Sequence, residues 1–140
     1  MTNKPVIILS KPQMHENIGA TARAMANFGL DSLRLINPRD GVPSEKAYSM
    51  ASGADSILDN AVIYADIHHA LSDLNIVIAT TARHRDMNKP VMNAECAVRY
   101  ICDKINDGAK CGILFGGERA GLDNDDIVHA DILVIIDVNP

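Results

Sequence analysis

The segment GILFGGERAGL, residues 112–122, changes abruptly from an apolar run to paired glycines and then to two opposite charges. The apolar start of the segment, bounded by turn residues, predicts a short buried strand. Gly116 and Gly117 follow that strand directly, and Glu118 and Arg119 come next. A tight turn accounts for the glycines, and a solvated pair accounts for the charges. These residues alone therefore leave open whether the loop is a simple turn or binds a ligand.

The same strand pattern recurs along the chain and alternates with helical patterns. Strands are predicted at residues 6–9, 32–37, 61–65, 75–80, 111–115 and 132–136. Helices are predicted at residues 17–29, 44–52, 66–74, 93–105 and 123–130. Asn17 is the expected N-cap of the first helix, and Gly29 is its expected stop. Because the strands are apolar on both faces, the sequence predicts an α/β protein with a largely parallel sheet.

Composition sets limits on the class of protein. The 140 residues fit one domain, and 47% hydrophobic with 22% charged residues is an ordinary globular profile. The start lacks a signal-peptide layout and no run is long enough to span a bilayer, so we expect a cytoplasmic protein that does not enter membranes. Cys96, Cys102 and Cys111 lack C-x-x-C spacing. They are expected to be small core residues, without a zinc site or any other metal.

Charge narrows the ways in which the chain could bind nucleic acid. The net charge of −5 argues against binding through overall charge, and the absence of tryptophan makes base stacking a poor route. One local basic stretch remains at residues 82–90, where Arg83, Arg85 and Lys89 oppose Asp86. Any RNA would be held there through phosphate contacts. A solvated loop is the competing interpretation of the same residues.

Three predicted strand ends carry unusual side chains. One leads to Asn17 and Arg23, another to Thr81 and the basic stretch, and the third to the paired glycines. Ligands of parallel sheets bind at the carboxyl ends of the strands, so three such ends in one domain suggest a composite site. Arg23 could equally be a solvent-exposed arginine on the outer side of its helix. The P-loop and G-x-G-x-x-G signatures are absent from the sequence.

Three ordered segments together resemble a known family. NIGATARAMANFG (17–29), GILFGGERAGL (112–122) and VIIDVNP (134–140) are similar to the three motifs of SpoU/TrmH-type SPOUT RNA 2′-O-ribose methyltransferases. ATTARHRDMNKP (79–90) is most similar to the branch that modifies a pyrimidine in the tRNA anticodon loop. The resemblance implies a SPOUT (α/β knot) fold with a mostly parallel sheet and a trefoil knot, an exception to unknotted topology. It also implies a homodimer, tRNA as substrate and S-adenosylmethionine as methyl donor.

The resemblance assigns roles to individual residues. It implies catalytic or substrate-side roles for Arg23, Asn17, Glu118 and Arg119. It implies donor contacts, largely through backbone, for Thr80, Thr81, Ala82, Gly116, Gly117 and Ile136. It implies RNA phosphate contacts for Arg83 and Arg85.

The sequence departs from the family at its end. In the family the third motif continues past Asn-Pro into a Ser-Leu-Asn segment and a helix that threads the knot, whereas this sequence stops at Asn139–Pro140. We therefore expect residues 1–140 to be a single SPOUT domain with an incomplete knot, weak donor binding and little activity. Two alternatives to the active enzyme stay open: an inactive RNA-binding or dimerisation remnant, and a generic α/β nucleotide-binding module. Within the family, an enzyme acting on rRNA or on another tRNA position is the alternative to the anticodon-loop branch.

Overall fold

A computed structural model describes residues 4–81, 89–117 and 121–135. Seven strands, β1 to β7, form one sheet in the spatial order β3-β2-β1-β6-β4-β7-β5. Their bounds are Val6–Ser10, Leu33–Ile36, Val62–Tyr64, Ile76–Thr81, Val91–Met92, Cys111–Phe115 and Ile132–Ile135. Every pairing between neighbouring strands is parallel. All seven carboxyl ends therefore lie at one edge of the sheet, called here the carboxyl edge.

Six helices, α1 to α6, connect the strands. Their bounds are His15–Asn27, Glu45–Ala51, Asp55–Asp59, Ile67–Leu71, Ala94–Asn106 and Asn124–Ile127. None of the helices in the described part of the chain is long and apolar enough to cross a membrane. Short parallel strands joined by helices bury both faces of the sheet, which explains the continuous apolar strands seen in the sequence.

Alternation along the strands divides the core into two layers. In β1, Ile7 packs with α1, α2 and α3, whereas Ile8 packs on the opposite face with α4 and α6. Helix α5 covers β4 and β7 on the same face as α1, through Ala97 and Ile101. On that face, Ile113 of β6 touches the clusters on both sides. The sheet thus lies between two helical layers, with β6 at the boundary between α1 and α5.

The structure confirms the six strands that the sequence predicted and adds two elements that it did not. Helix α3 was missed because Asp55–Asp59 is shorter than two helical turns. Strand β5 was missed because Val91–Met92 has only two residues, too few to show a period. Short elements of this kind depend on tertiary contacts rather than on local pattern.

Two local predictions were wrong. Asn17 is not the N-cap of α1, because the helix begins at His15 and the extended residue Met14 occupies the cap position. Cys96 and Cys102 are exposed, and of the three cysteines only Cys111 is in the core. Gly29 has the expected left-handed backbone, with φ of 73° immediately after the cap.

Candidate functional site

The carboxyl edge brings the ends of β4, β6 and β7 together. Strand β4 is the central one of the three: its Ala79 pairs with Leu114 of β6, and its Thr81 pairs with Ile135 of β7. The ends of β4 and β6, which carry the predicted donor residues Thr80, Thr81, Gly116 and Gly117, are therefore neighbours. Six other predicted site residues lie outside the described residues. They are Ala82, Arg83, Arg85, Glu118, Arg119 and Ile136.

The paired glycines lie in close contact with other backbone at the carboxyl edge. A β-carbon on Gly116 would lie 2.1 Å from the carbonyl carbon of Gly121 and 2.2 Å from the nitrogen of Leu122. A β-carbon on Gly117 would lie 2.8 Å from the carbonyl oxygen of Lys11. The Gly121 N–H donates to the Gly117 carbonyl oxygen at 2.9 Å, which closes the loop. Both glycines are thus needed for the protein's own backbone packing, and both stay half-buried rather than sealed.

The two threonines at the end of β4 differ in environment. The Thr80 hydroxyl donates to the carbonyl oxygen of Leu114 at 3.3 Å and is half-buried. Thr81 is buried on the opposite face of the strand. The Thr80 hydrogen bond ties β4 to β6 just before the glycines, so it fixes the spacing of the two strand ends.

A polar cluster beneath the glycine loop was missed by sequence reasoning. Lys11, directly after β1, donates from Nζ to Asp123 Oδ2 at 3.1 Å. Ser10 donates from Oγ to Asp126 Oδ2 at 3.3 Å. The Asp126 N–H donates to Asp123 Oδ1 at 2.8 Å, which caps the start of α6. The cluster links the end of β1 to the start of α6. The residues in contact are more than a hundred positions apart, so the sequence pattern does not predict that they meet.

Burial and hydrogen bonding shift the pKa values in this cluster in opposite directions. The Asp126 side chain is almost completely buried, and burial raises the pKa of its carboxyl group. The Asp126 backbone N–H lowers the pKa of the Asp123 carboxyl group. Asp123 in turn raises the pKa of the Lys11 ammonium through their hydrogen bond. The Lys11–Asp123 pair is therefore charged at neutral pH.

Lys89 does not project freely from the basic stretch. Its Nζ donates to the carbonyl oxygens of Val128 at 3.2 Å and Ala130 at 2.5 Å, which follow α6. At the Val128 carbonyl oxygen, a cation satisfies a group that the helix end leaves without a partner. Lys89, near the carboxyl end of the basic stretch, is thus fixed to the backbone just after α6, the helix whose N-cap Asp123 binds Lys11.

The structure places Asn17 and Arg23 on α1 with exposed side chains. One turn before Arg23, Gly19 faces α2, where a β-carbon on Gly19 would lie 1.9 Å from the Ala47 carbonyl oxygen. Thr21, with Ala24 and Phe28, lines a groove next to Phe115 of β6. At about 100° per residue, Arg23 projects roughly 130° away from that groove and close to the direction of Gly19. Within one chain, the approach of Arg23 to the paired glycines stays a prediction.

Comparison with known proteins identifies the family. The SpoU rRNA methylase family matches residues 4–140. The chain belongs to this family. A curated relative from Methanocaldococcus jannaschii, named tRNA (cytidine-2′-O-)-methyltransferase TrmJ, is 39% identical over 132 residues, which are 93% of this chain and 56% of the relative. The chain thus spans about half the length of the curated relatives that it matches.

Solved structures of the family have the same fold. The crystal structure of TrmJ from Z. mobilis ZM4 has a TM-score of 0.91 and 48% identity, and the match covers 99% of this chain and 60% of that chain. The SpoU methyltransferase AviRb from Streptomyces viridochromogenes, in complex with the cofactor AdoMet, has a TM-score of 0.69 at 15% identity, over 100% of this chain and 51% of that chain. The second likeness bears on the fold alone. The predicted SPOUT fold is confirmed, and the state of the knot stays a prediction.

Proposed function

We propose that this family member transfers a methyl group from S-adenosylmethionine to a ribose 2′-hydroxyl of tRNA, at a pyrimidine of the anticodon loop. The observation that carries the proposal is the half-buried glycine backbone at the end of β6 beside the end of β4, within the segment that resembles the family's second motif. The name of the relative from M. jannaschii supports tRNA and cytidine as the substrate. We also place the enzyme in the cytoplasm, where its tRNA substrate would be.

The residues at the carboxyl edge fit a donor that is bound through backbone. Gly116 and Gly117 present peptide groups without side chains, and a side chain at either position would displace neighbouring backbone. Thr80 and Thr81 lie at the end of β4, next to the end of β6. Together with Ala82 and Ile136, these residues would hold S-adenosylmethionine, which supplies an electrophilic methyl group on a positively charged sulfur. In the described ranges no three His, Cys, Asp or Glu side chains are placed to hold a metal ion.

Arg23 has the chemistry to assist the accepting hydroxyl. A guanidinium stays protonated at neutral pH and carries five N–H donors. Arg23 is exposed, and its side chain makes no ion pair or hydrogen bond with another described residue. Its donors are therefore available to a ribose oxygen and a neighbouring phosphate. Stabilising the negative charge that develops on the 2′-oxygen lowers the barrier while the hydroxyl proton passes to water.

The remaining predicted site residues complete the proposal. Asn17 would shape the start of α1 next to the substrate, and Glu118 and Arg119 would support the substrate side of the glycine loop. Arg83 and Arg85 would contact RNA phosphates, so replacing each with alanine is expected to lower the salt dependence of tRNA binding. Holding both reactants at one edge makes the transfer effectively unimolecular, which accounts for much of the expected rate.

We further propose that the protein is a homodimer. The groove between α1 and β6 has a volume of about 330 Å³ and is lined mainly by apolar side chains, and Phe28 at its margin is 81% exposed. Apolar surface of this kind favours association with another protein surface. Light scattering of wild type and of Phe28→Glu checks the proposal: a dimeric mass that becomes monomeric in the variant supports it. A monomeric wild type contradicts it.

The test of the function compares Arg23→Ala with Arg23→Lys in the product of the complete reading frame. The assay follows transfer of labelled methyl from S-adenosylmethionine to an unmodified tRNA transcript, and alkaline hydrolysis maps the modified nucleotide. Removing one donor to the developing oxyanion typically costs about 10²–10³ in rate. We expect Arg23→Ala to lose activity to that extent while its affinity for the donor is unchanged.

Two outcomes would contradict this proposal. A wild-type protein that binds tRNA but transfers no methyl group is the result expected of an inactive remnant. An Arg23→Ala variant as active as wild type would show that Arg23 has no part in the mechanism. Arg23→Lys keeps the charge but loses the planar arrangement of donors. Partial activity of Arg23→Lys would therefore show that part of the contribution of Arg23 comes from its charge.

A further inference from the structure

Among the residues that the structure describes, three cations lack a partner and lie on neighbouring elements. Arg23, Arg39 and Lys46 make no side-chain ion pair or hydrogen bond with any described residue. Every other described lysine or arginine has an acceptor or an aromatic ring. These are Lys4, Lys11, Arg34, Lys89, Arg99, Lys104 and Lys110. Within the described ranges, the positive charge without a partner thus lies on α1, on α2 and in the loop before α2.

Two of these cations line one open cavity at the carboxyl edge. The cavity has a volume of about 530 Å³ and lies between the start of α1 and the loop that follows β2, with Arg39 and Lys46 in its wall. Glu16 and Asp40 also line it, yet neither pairs with the two cations. A surface that keeps its cations apart from nearby carboxylates leaves them free for an external anion, although the carboxylates weaken the local field.

The backbone that carries Arg39 is held in place from two sides. The Arg39 N–H donates to the Pro12 carbonyl oxygen at 3.0 Å, and the Arg39 carbonyl oxygen lies 2.6 Å from Nε2 of the buried His15. The Ser44 N–H donates to Nδ1 of the same ring at 2.9 Å. Since Nδ1 accepts, Nε2 carries the proton and donates to Arg39. One histidine therefore fixes both ends of the loop between Arg39 and Ser44.

Glu16 in the cavity wall and Arg23 lie on the same side of α1, since seven residues make about two helical turns. Helix α2 packs closely on α1, because Gly19 lets the Ala47 carbonyl approach, and Lys46 directly precedes that contact. Arg23 lies one turn beyond Gly19, about 6 Å along the helix. Arg23 therefore lies further along the side of α1 that borders the cavity with Arg39 and Lys46.

We infer that the cavity lined by Arg39 and Lys46 binds the sugar–phosphate backbone of the tRNA, beyond the nucleotide that is methylated. The inference rests on the proposed function, since it takes tRNA as the ligand and Arg23 as the residue at the reacting ribose. Phosphate contacts fix the register of the nucleic acid without reading its bases. The cavity would therefore orient the tRNA while other residues select the nucleotide.

The experiment measures tRNA affinity as a function of salt for Arg39→Ala, Lys46→Ala and the double variant. Arg39 is held through its backbone, so removing its side chain leaves the loop intact. Each lost phosphate contact lowers the slope of log affinity against log salt by about 1, and the double variant loses about 2. We expect KM for tRNA to rise several-fold while kcat at saturating tRNA stays unchanged. Lys4→Ala is the matched control, because Lys4 lies before β1 at the opposite edge and pairs with Asp31.

The possible results separate the inference from the proposed function. If wild type methylates tRNA and the double variant keeps the wild-type slope, the inference is wrong and the function stands. If the double variant loses slope but neither wild type nor Arg23→Ala methylates tRNA, the cavity binds RNA and the proposed function fails. An equal loss of slope in Lys4→Ala would mean that general charge, rather than this cavity, governs binding, and would also overturn the inference. Unchanged thermal unfolding midpoints establish that the variants are folded.

Discussion

A β-carbon on Gly116 would lie 2.1 Å from the carbonyl carbon of Gly121. The Gly121 carbonyl carbon cannot move alone, because it is a backbone atom and the Gly121 N–H is hydrogen-bonded to the Gly117 carbonyl oxygen. Replacing Gly116 with alanine should therefore displace the loop and lower the free energy of unfolding by about 1–3 kcal/mol. Affinity for S-adenosylmethionine, measured by calorimetry on the product of the complete reading frame, should fall together with stability.

Gly29→Ala is the control for Gly116→Ala. Gly29 has a positive φ, so alanine there costs about 1–2 kcal/mol of strain without meeting any neighbouring atom. Donor affinity should be unchanged in this variant. If Gly116→Ala were to bind the donor as tightly as Gly29→Ala does, the glycine loop would have no part in the donor site.

Asp73 supports a buried arginine far from the proposed site. The carboxylate of Asp73 accepts two hydrogen bonds from Arg34, at 2.6 and 2.9 Å, and Arg34 is only 8% exposed. The Arg34 guanidinium holds the pKa of the Asp73 carboxyl group well below its usual value, and Lys110 adds to the effect. Because the folded-state pKa is lowered, the stabilisation is present above about pH 4 and is lost as the pH falls through the acidic range.

Asp73→Asn should lower the free energy of unfolding at pH 7 by about 1–2 kcal/mol, a value reduced for the partial exposure of the carboxylate. The difference from wild type should narrow between pH 5 and pH 3, roughly the range in which the unfolded chain takes up the proton. Urea unfolding at several pH values measures this difference in the free energy of unfolding. Asp31→Asn is the control, since its pair with Lys4 is exposed. If the difference in stability between Asp73→Asn and wild type stays constant with pH, the ion pair is not its cause.

Lys89 is expected to act as an anchor rather than as an RNA contact. Lys89→Met removes the donor to the carbonyl oxygens of Val128 and Ala130, so the free energy of unfolding should fall by about 0.5–1.5 kcal/mol. Lys89→Arg should keep most of the wild-type free energy of unfolding. The slope of tRNA affinity against salt should be the same in all three proteins. A slope lowered by about 1 in Lys89→Met would show instead that the ammonium group contacts a phosphate.

Most of the sheet was predictable because each strand can be recognised from its own short run of residues. β-Branched runs such as Val6–Ser10 and Ile76–Thr81 are apolar on both faces, which is typical of parallel strands under helices. Strand order was not predictable in this way. That β4 inserts between β6 and β7 depends on the packing of side chains distant in sequence, and no local periodicity encodes it.

The sequence singled out one short segment of the candidate site, and the role of that segment in donor binding stays a prediction. The paired glycines stood out in the sequence, and the structure brings them beside the end of β4. Prediction missed the interactions that join distant segments, such as Lys11 with Asp123 or Lys89 with Ala130. A charged residue in a loop looks the same in sequence whether it faces solvent or caps a helix. Three-dimensional contacts alone distinguish the bound Lys89 from the unpaired Lys46.

His15 provides the last prediction, because its ring joins two loop segments through opposite nitrogens. His15→Phe keeps a ring of similar size but leaves the Ser44 N–H and the Arg39 carbonyl oxygen without their partner. A fully buried group left without a partner costs about 1–3 kcal/mol, and these two groups are part-buried, so stability should fall by less than that for each group. If the His15 ring positions Arg39 for RNA, tRNA affinity should also fall, while His15→Gln, which retains a donor and an acceptor, should recover part of both. A His15→Phe variant that loses stability but binds tRNA with wild-type affinity and salt slope would show that the ring supports the fold without positioning Arg39.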